Sequence, residues 1–84
     1  MFEKVFISTE FITLAQFLKF VGIISNGGEA KVFLAENEVI VNHELENRRG
    51  RKLYPGYFVE IFNKIYVIKS NGTNKDWINK FQKL

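Results

Sequence analysis

Hydrophobic and polar positions change their period several times along this 84-residue chain. Residues 2–8 (FEKVFIS) are rich in aromatic and β-branched side chains and read as a short edge strand. From Thr13 the apolar positions are Leu14, Phe17, Leu18 and Val21, the i, i+3, i+4, i+7 stripe of an amphipathic helix. Thr13 with Gln16 three residues later is a capping-box pattern, and Gly22 is placed to end the helix in a left-handed conformation. After a connector at 23–25, Asn26 and Glu29 repeat the capping pattern. Ala30, Phe33 and Leu34 then supply a buried stripe, so a second helix is expected to run to about Glu36, with Asn37 as its C-terminal cap.

Beyond Asn37 the period shortens to that of strands. Val39–Val41 form one, Asn42-His43 a turn, and residues 44–46 a short return strand. Leu53-Tyr54-Pro55-Gly56 is a turn, with proline preset for its second position and glycine free to take positive φ. Residues 57–62 and 65–69 are expected to pair as a hairpin through Asn63-Lys64. A polar break at 70–75 precedes DWINKFQKL, where Trp77, Ile78, Phe81 and Leu84 have helical spacing and Thr73 can cap. A helix this short must dock to persist. The expected fold is α+β: a two-helix (helix-turn-helix) unit, then a small, mostly antiparallel β-sheet, then a short C-terminal helix. Residues 1–70 are expected to form a single domain and residues 71–84 a docked tail.

Composition narrows the function classes. A hydrophobic content of 46% with nine phenylalanines supports one packed core. The absence of cysteine removes disulfides, thiol nucleophiles and Cys-based zinc sites, and it fits a reducing compartment. The start of the chain lacks the basic and apolar run of a signal peptide. The most apolar stretch, residues 11–24, is interrupted by Gln16 and Lys19 and is too short to cross a bilayer. A soluble cytoplasmic protein with no membrane partner is expected. His43 stands alone in a turn, and the acids pair only at i, i+2 as Glu36/Glu38 and Glu44/Glu46. No nucleophile–base–orienter set, P-loop, metal-ligand set or cofactor motif can be assembled, so neither an enzyme nor a cofactor is expected.

Charge changes the picture more. All three arginines lie in NRRGRKLYPG (47–56), whereas nine lysines are scattered along the chain. Arg48, Arg49, Arg51 and Lys52 carry +4 against a net charge of +3 for the whole chain, so the remainder is slightly acidic. Arginine offers a planar fork that grips phosphate at two points and stacks on bases; lysine would serve solubility equally well. The loop therefore points to a polyanion, with Gly50 giving it freedom to present its side chains together. The alternatives are a solvated basic loop or one paired with Glu44 and Glu46. Gly27-Gly28, at the start of the second helix, could let a phosphate reach the backbone amides of Asn26–Gly28, with Lys31 a turn further on. Those glycines could instead serve only a tight turn or close packing. Tyr54 and Tyr57 are candidates for stacking on an unpaired base, with packing beside the Pro-Gly turn as the alternative.

These motifs together resemble the S-four RNA-binding domain, and more narrowly its small stand-alone bacterial YaaA-like members. The blocks that carry the resemblance are ITLAQFLKFVG (12–22), SNGGEAKVFLAENEVIVN (25–42) and NRRGRKLYPG (47–56), covering about residues 12–62. The resemblance implies a compact surface on structured RNA, with contacts at Asn26–Gly28, at Lys31 and in the loop Arg48–Lys52. The chain departs from the family pattern in three places. The Ser-Arg pair that often opens the second helix is Asn26-Gly27, the usual Val-Asn-Gly turn is Val41-Asn42-His43, and the usual aspartate after Pro-Gly is Tyr57. The expected function is non-catalytic recognition of structured RNA, ribosomal RNA or a ribosome precursor, through phosphates and helical shape. The alternative is a protein-interaction adaptor that uses the basic loop and the aromatic tail. DNA is not expected, because the net charge is modest and neither helix has a basic outward face.

Overall fold

In the computed structural model, which describes residues 2–71, the first strand pairs with the last. The order is β1 (Phe2–Ile7), β2 (Ile12–Thr13), α1 (Leu14–Phe20), a 3-10 turn (Gly27–Glu29), α2 (Ala30–Glu36), β3 (Ile40–Val41), β4 (Glu44–Leu45), β5 (Lys52–Leu53), β6 (Phe58–Ile61) and β7 (Lys64–Ser70). Five strands form a mixed sheet in the order β1-β7-β6-β3-β4, while β2 and β5 form a separate two-stranded ribbon. The pairing of β1 with β7 is parallel; the other pairings are antiparallel.

This overturns the expected helix-turn-helix unit followed by a sheet. Strands dominate the regular structure of the described residues, two of them before and five after a pair of seven-residue helices that only the 3-10 turn separates. The physical reason is burial. Two turns of helix cannot cover their own apolar stripes, so Leu14, Phe17, Leu18, Ala30 and Leu34 are buried against the sheet residues Val5, Val41, Val59, Tyr66 and Ile68. The expected C-terminal helix falls outside the described residues.

Local signals explain most element ends. The Thr13 hydroxyl accepts from the Gln16 amide at 3.2 Å, and the Gln16 side-chain oxygen accepts from the Thr13 amide at 2.9 Å. At the other end of α1, Gly22 has φ 83°, its amide donates to Lys19, and the Ile23 amide donates to Leu18, a Schellman closure. The Asn42-His43 and Phe62-Asn63 turns have positive φ at both residues, as two-residue hairpins require. The second turn therefore sits one residue earlier than the expected Asn63-Lys64. The two alternatives differ by two positions in pairing, which leaves Val59, Ile61, Tyr66 and Ile68 on the same face. Alternation could not choose between them. The observed register carries an edge-to-face contact of Phe62 with Phe33, ring centres 5.8 Å apart.

Candidate nucleic-acid interface

The arginine loop is fixed through its backbone before its side chains are considered. The Arg51 carbonyl accepts from the Leu14 amide at 2.8 Å, and the Arg49 carbonyl accepts from the Ala15 amide at 2.9 Å. These amides belong to the first turn of α1, which lacks internal acceptors for them. On either side the chain is pinned by the β2–β5 ribbon, where Ile12 faces Leu53 and Thr13 faces Lys52. The loop thus caps the first helix.

Side-chain order comes from one carboxylate. Glu46, with 6% of its side chain exposed, accepts from the Arg48 amide, Nε and Nη2 and from Arg51 Nη1, at 2.7–3.0 Å. The Arg48 hydrogen bond, opposed by burial, holds the Glu46 carboxyl down at about 2, and the same bond raises Arg48 above its ordinary value. The Arg48 side chain remains 70% exposed and that of Arg51 24% exposed, so both are braced at one end and partly open at the other. Arg49 and Lys52 are exposed. One carboxylate among four cations leaves this stretch at +3. Of the two acids proposed as partners, Glu46 is engaged and Glu44 is exposed.

Aromatic rings lie directly under the cations. Arg51 sits over Tyr57 at 5.7 Å and Lys52 over Phe11 at 4.8 Å. Tyr54 touches both Phe11 and Tyr57, with ring centres 5.6 and 5.7 Å apart. Tyr54 and Tyr57 are half-buried, so part of each ring is already used in this cluster. Phe11 was not singled out in the sequence. Its neighbours Ile12 and Thr13 pair with β5, and only that long-range pairing brings it beneath Lys52.

Asn26, Gly27, Gly28 and Lys31 form a second, separate group. The Asn26 side chain accepts from the Gly28 amide at 2.9 Å, so that amide is capped from within. A Cβ on Gly28 would meet this same oxygen at 3.2 Å, which explains glycine there; nothing in the structure explains it at position 27. Glu29 departs from the expected capping box by reaching one residue further back. Its carboxylate accepts from the Ser25 amide and hydroxyl and from Asn26 Nδ2, and the Ser25 bonds lower its pKa. A negative charge therefore lies within the turn that was expected to welcome phosphate. Lys31 is exposed on the first turn of α2.

No hydrogen bond or ion pair among the described residues joins the two groups. Glu46 and Asn47 share a groove of about 330 Å³ with residues 34–39, at the C-terminal end of α2, whereas Asn26–Gly28 stand at the N-terminal end of that helical segment.

The ribbon that pins the loop, the sheet behind it and the residues between lie within one recognisable unit. The model of the S4 domain family matches residues 5–69, and the chain belongs to that family, the one its motifs resembled. Among curated proteins it is similar to the "Probable ribosome maturation protein RlbA" of Bacillus subtilis (strain 168). The two are 59% identical over 61 residues, which cover 73% of this chain and 86% of that protein. Among the described residues no helix is long and apolar enough to cross a membrane.

Proposed function

We propose that this chain is a non-catalytic RNA-binding module that acts in ribosome maturation, docking on structured ribosomal RNA or a ribosome precursor. Family membership and the similarity to a ribosome maturation protein support the general reading. The finer reading is carried by one observation: Arg48 and Arg51 are braced on Glu46 beside exposed Arg49 and Lys52, on a loop whose backbone is tied to α1. Pre-ordered guanidiniums lose less side-chain entropy when they grip a phosphate. We assign phosphate contacts to Arg48, Arg49, Arg51 and Lys52, with Asn26–Gly28 and Lys31 as a second contact on the same RNA. Stacking of a base on Tyr54 or Tyr57 ranks behind these, because it competes with Arg51 and with the existing ring contacts.

The test is the salt dependence of binding to a folded ribosomal RNA fragment. Each phosphate neutralised contributes a slope of about −0.7 to −0.9 in log affinity against log salt. The triple variant Arg48→Ala, Arg49→Ala, Arg51→Ala should flatten the slope by about two to three units. Far-ultraviolet circular dichroism should be retained. Unchanged affinity in a folded triple variant rules the assignment out. An adaptor that grips an acidic protein predicts a different pattern, in which acidic peptides compete for the loop and folded RNA does not.

A further inference from the structure

A groove beside the arginine loop holds two aromatic rings that the core does not use. It has a volume of about 670 Å³ and a mostly apolar lining, and it lies between the segment entering β2 and one side of α1. Phe11 and Ile12 come from the first and Phe20 from the second. The core cluster includes neither Phe11 nor Phe20. Phe20 is 62% exposed, and among the described residues no ring or cation contact holds it. A single exposed phenylalanine is ordinary, but two rings lining one concave surface form a place for a flat guest.

We infer that this groove receives one unpaired nucleobase of the RNA that the arginine loop grips, with Phe20 stacked on it. The inference rests on the RNA reading above and adds a base-binding site to it. Continuity with the loop is the first support. Lys52 lies 4.8 Å over the Phe11 ring, Ile12 and Thr13 pair with Leu53 and Lys52, and the Arg49 carbonyl accepts from the Ala15 amide, next to Gln16. A base and its phosphate are only one sugar apart, so a phosphate held by Lys52 delivers its base here. Charge is the second support. Lys52 stands at Phe11 and Lys19 lines the groove from α1, which suits the phosphates that flank a base; Glu10 is the one acid in the lining. The third is the polar chemistry of the lining. The Gln16 side-chain oxygen is held by the Thr13 amide at 2.9 Å, which leaves Nε2 as a positioned donor. Nε2 can donate to a base carbonyl or ring nitrogen, and Glu10 can accept from an exocyclic amino group. An aliphatic side chain would cover both groups without pairing either.

The test compares two probes on the full-length protein: an RNA hairpin with a loop of unpaired nucleotides of mixed sequence, and a fully paired RNA duplex of the same length. The expected result is a preference of about tenfold for the hairpin, the contribution of one stacked base. Phe20→Ala, at an exposed helix position that alanine suits, should abolish that preference, and Phe20→Trp should restore it. Phe2→Ala, a ring of similar exposure outside the groove, should leave it unchanged. The arginine triple variant should flatten the salt slope with both probes whatever the groove does, which separates the two readings. Three results overturn the inference and leave the loop assignment standing: a preference that survives Phe20→Ala; a loss matched by Phe2→Ala; or salt-dependent binding with no preference in the unmodified protein, as a groove built for a partner protein's side chain predicts. Binding to neither probe overturns the RNA reading, and this inference with it.

Discussion

A carboxylate with 6% of its side chain exposed keeps its charge only if donors replace the water it gives up, and Glu46 has four of them. Its folded pKa of about 2 lies below the ordinary 4.5, so its contribution to stability is complete above about pH 4.5. That contribution disappears as pH falls towards 2. The thermal midpoint should therefore be flat near neutrality and fall between those values. Glu46→Gln should lower the midpoint at pH 7 and shrink the acid limb, leaving the smaller slope due to Glu29. A variant with an undiminished limb would show that the bracing contributes nothing. The sequence placed Glu44 and Glu46 together as candidate partners, because alternation along a strand puts i and i+2 on one face. β4 ends at Leu45, the chain turns there, and the two acids part. His43 poses the opposite problem. It occupies a positive-φ turn position, φ 74°, that glycine fills at no steric cost. His43→Gly should stabilise the fold by roughly 0.5 kcal/mol, a rise of about 2–4 °C in Tm by calorimetry.

At the scale of elements, α1 is short but closed at both ends, by Thr13 and the loop carbonyls at its start and by Gly22 at its finish. Gly22→Ala should cost about 1 kcal/mol in denaturant unfolding, since alanine must hold φ 83°. The space around Gly22 is open, so no clash adds to this. Such ends were legible because caps are local: a side chain meets a backbone group three or four residues away. Strand partners are not local. Phe2–Ile7 reads as an edge strand from its residues alone, yet nothing in FEKVFI specifies that its neighbour is β7 or that they run parallel. Residues 12–13 and 52–53 are too short to show any period, and their ribbon follows from the need to seat the loop on α1.

For the whole molecule, the position of the positive charge along the chain was legible in the sequence, and the structure adds that the arginine loop is seated on the start of α1. Arg48–Lys52 and Asn26–Gly28 therefore act, in our proposal, as two contacts on one RNA. The family could be recognised because three blocks recur in order, even though the α+β layout inferred from them was wrong. The β1–β7 pairing has a further consequence for biosynthesis. The strand made first, with Phe2 opposite Ile65 and Ile7 opposite Ser70, must wait for the strand made last among the described residues. Contacts so distant in sequence slow folding and make it all-or-none, so the sheet cannot close while β7 is still inside the exit tunnel. Until β7 emerges, β1 carries Val5 and Ile7, which the folded sheet buries, as unprotected apolar surface, which makes the nascent chain a natural client for chaperones at the tunnel mouth.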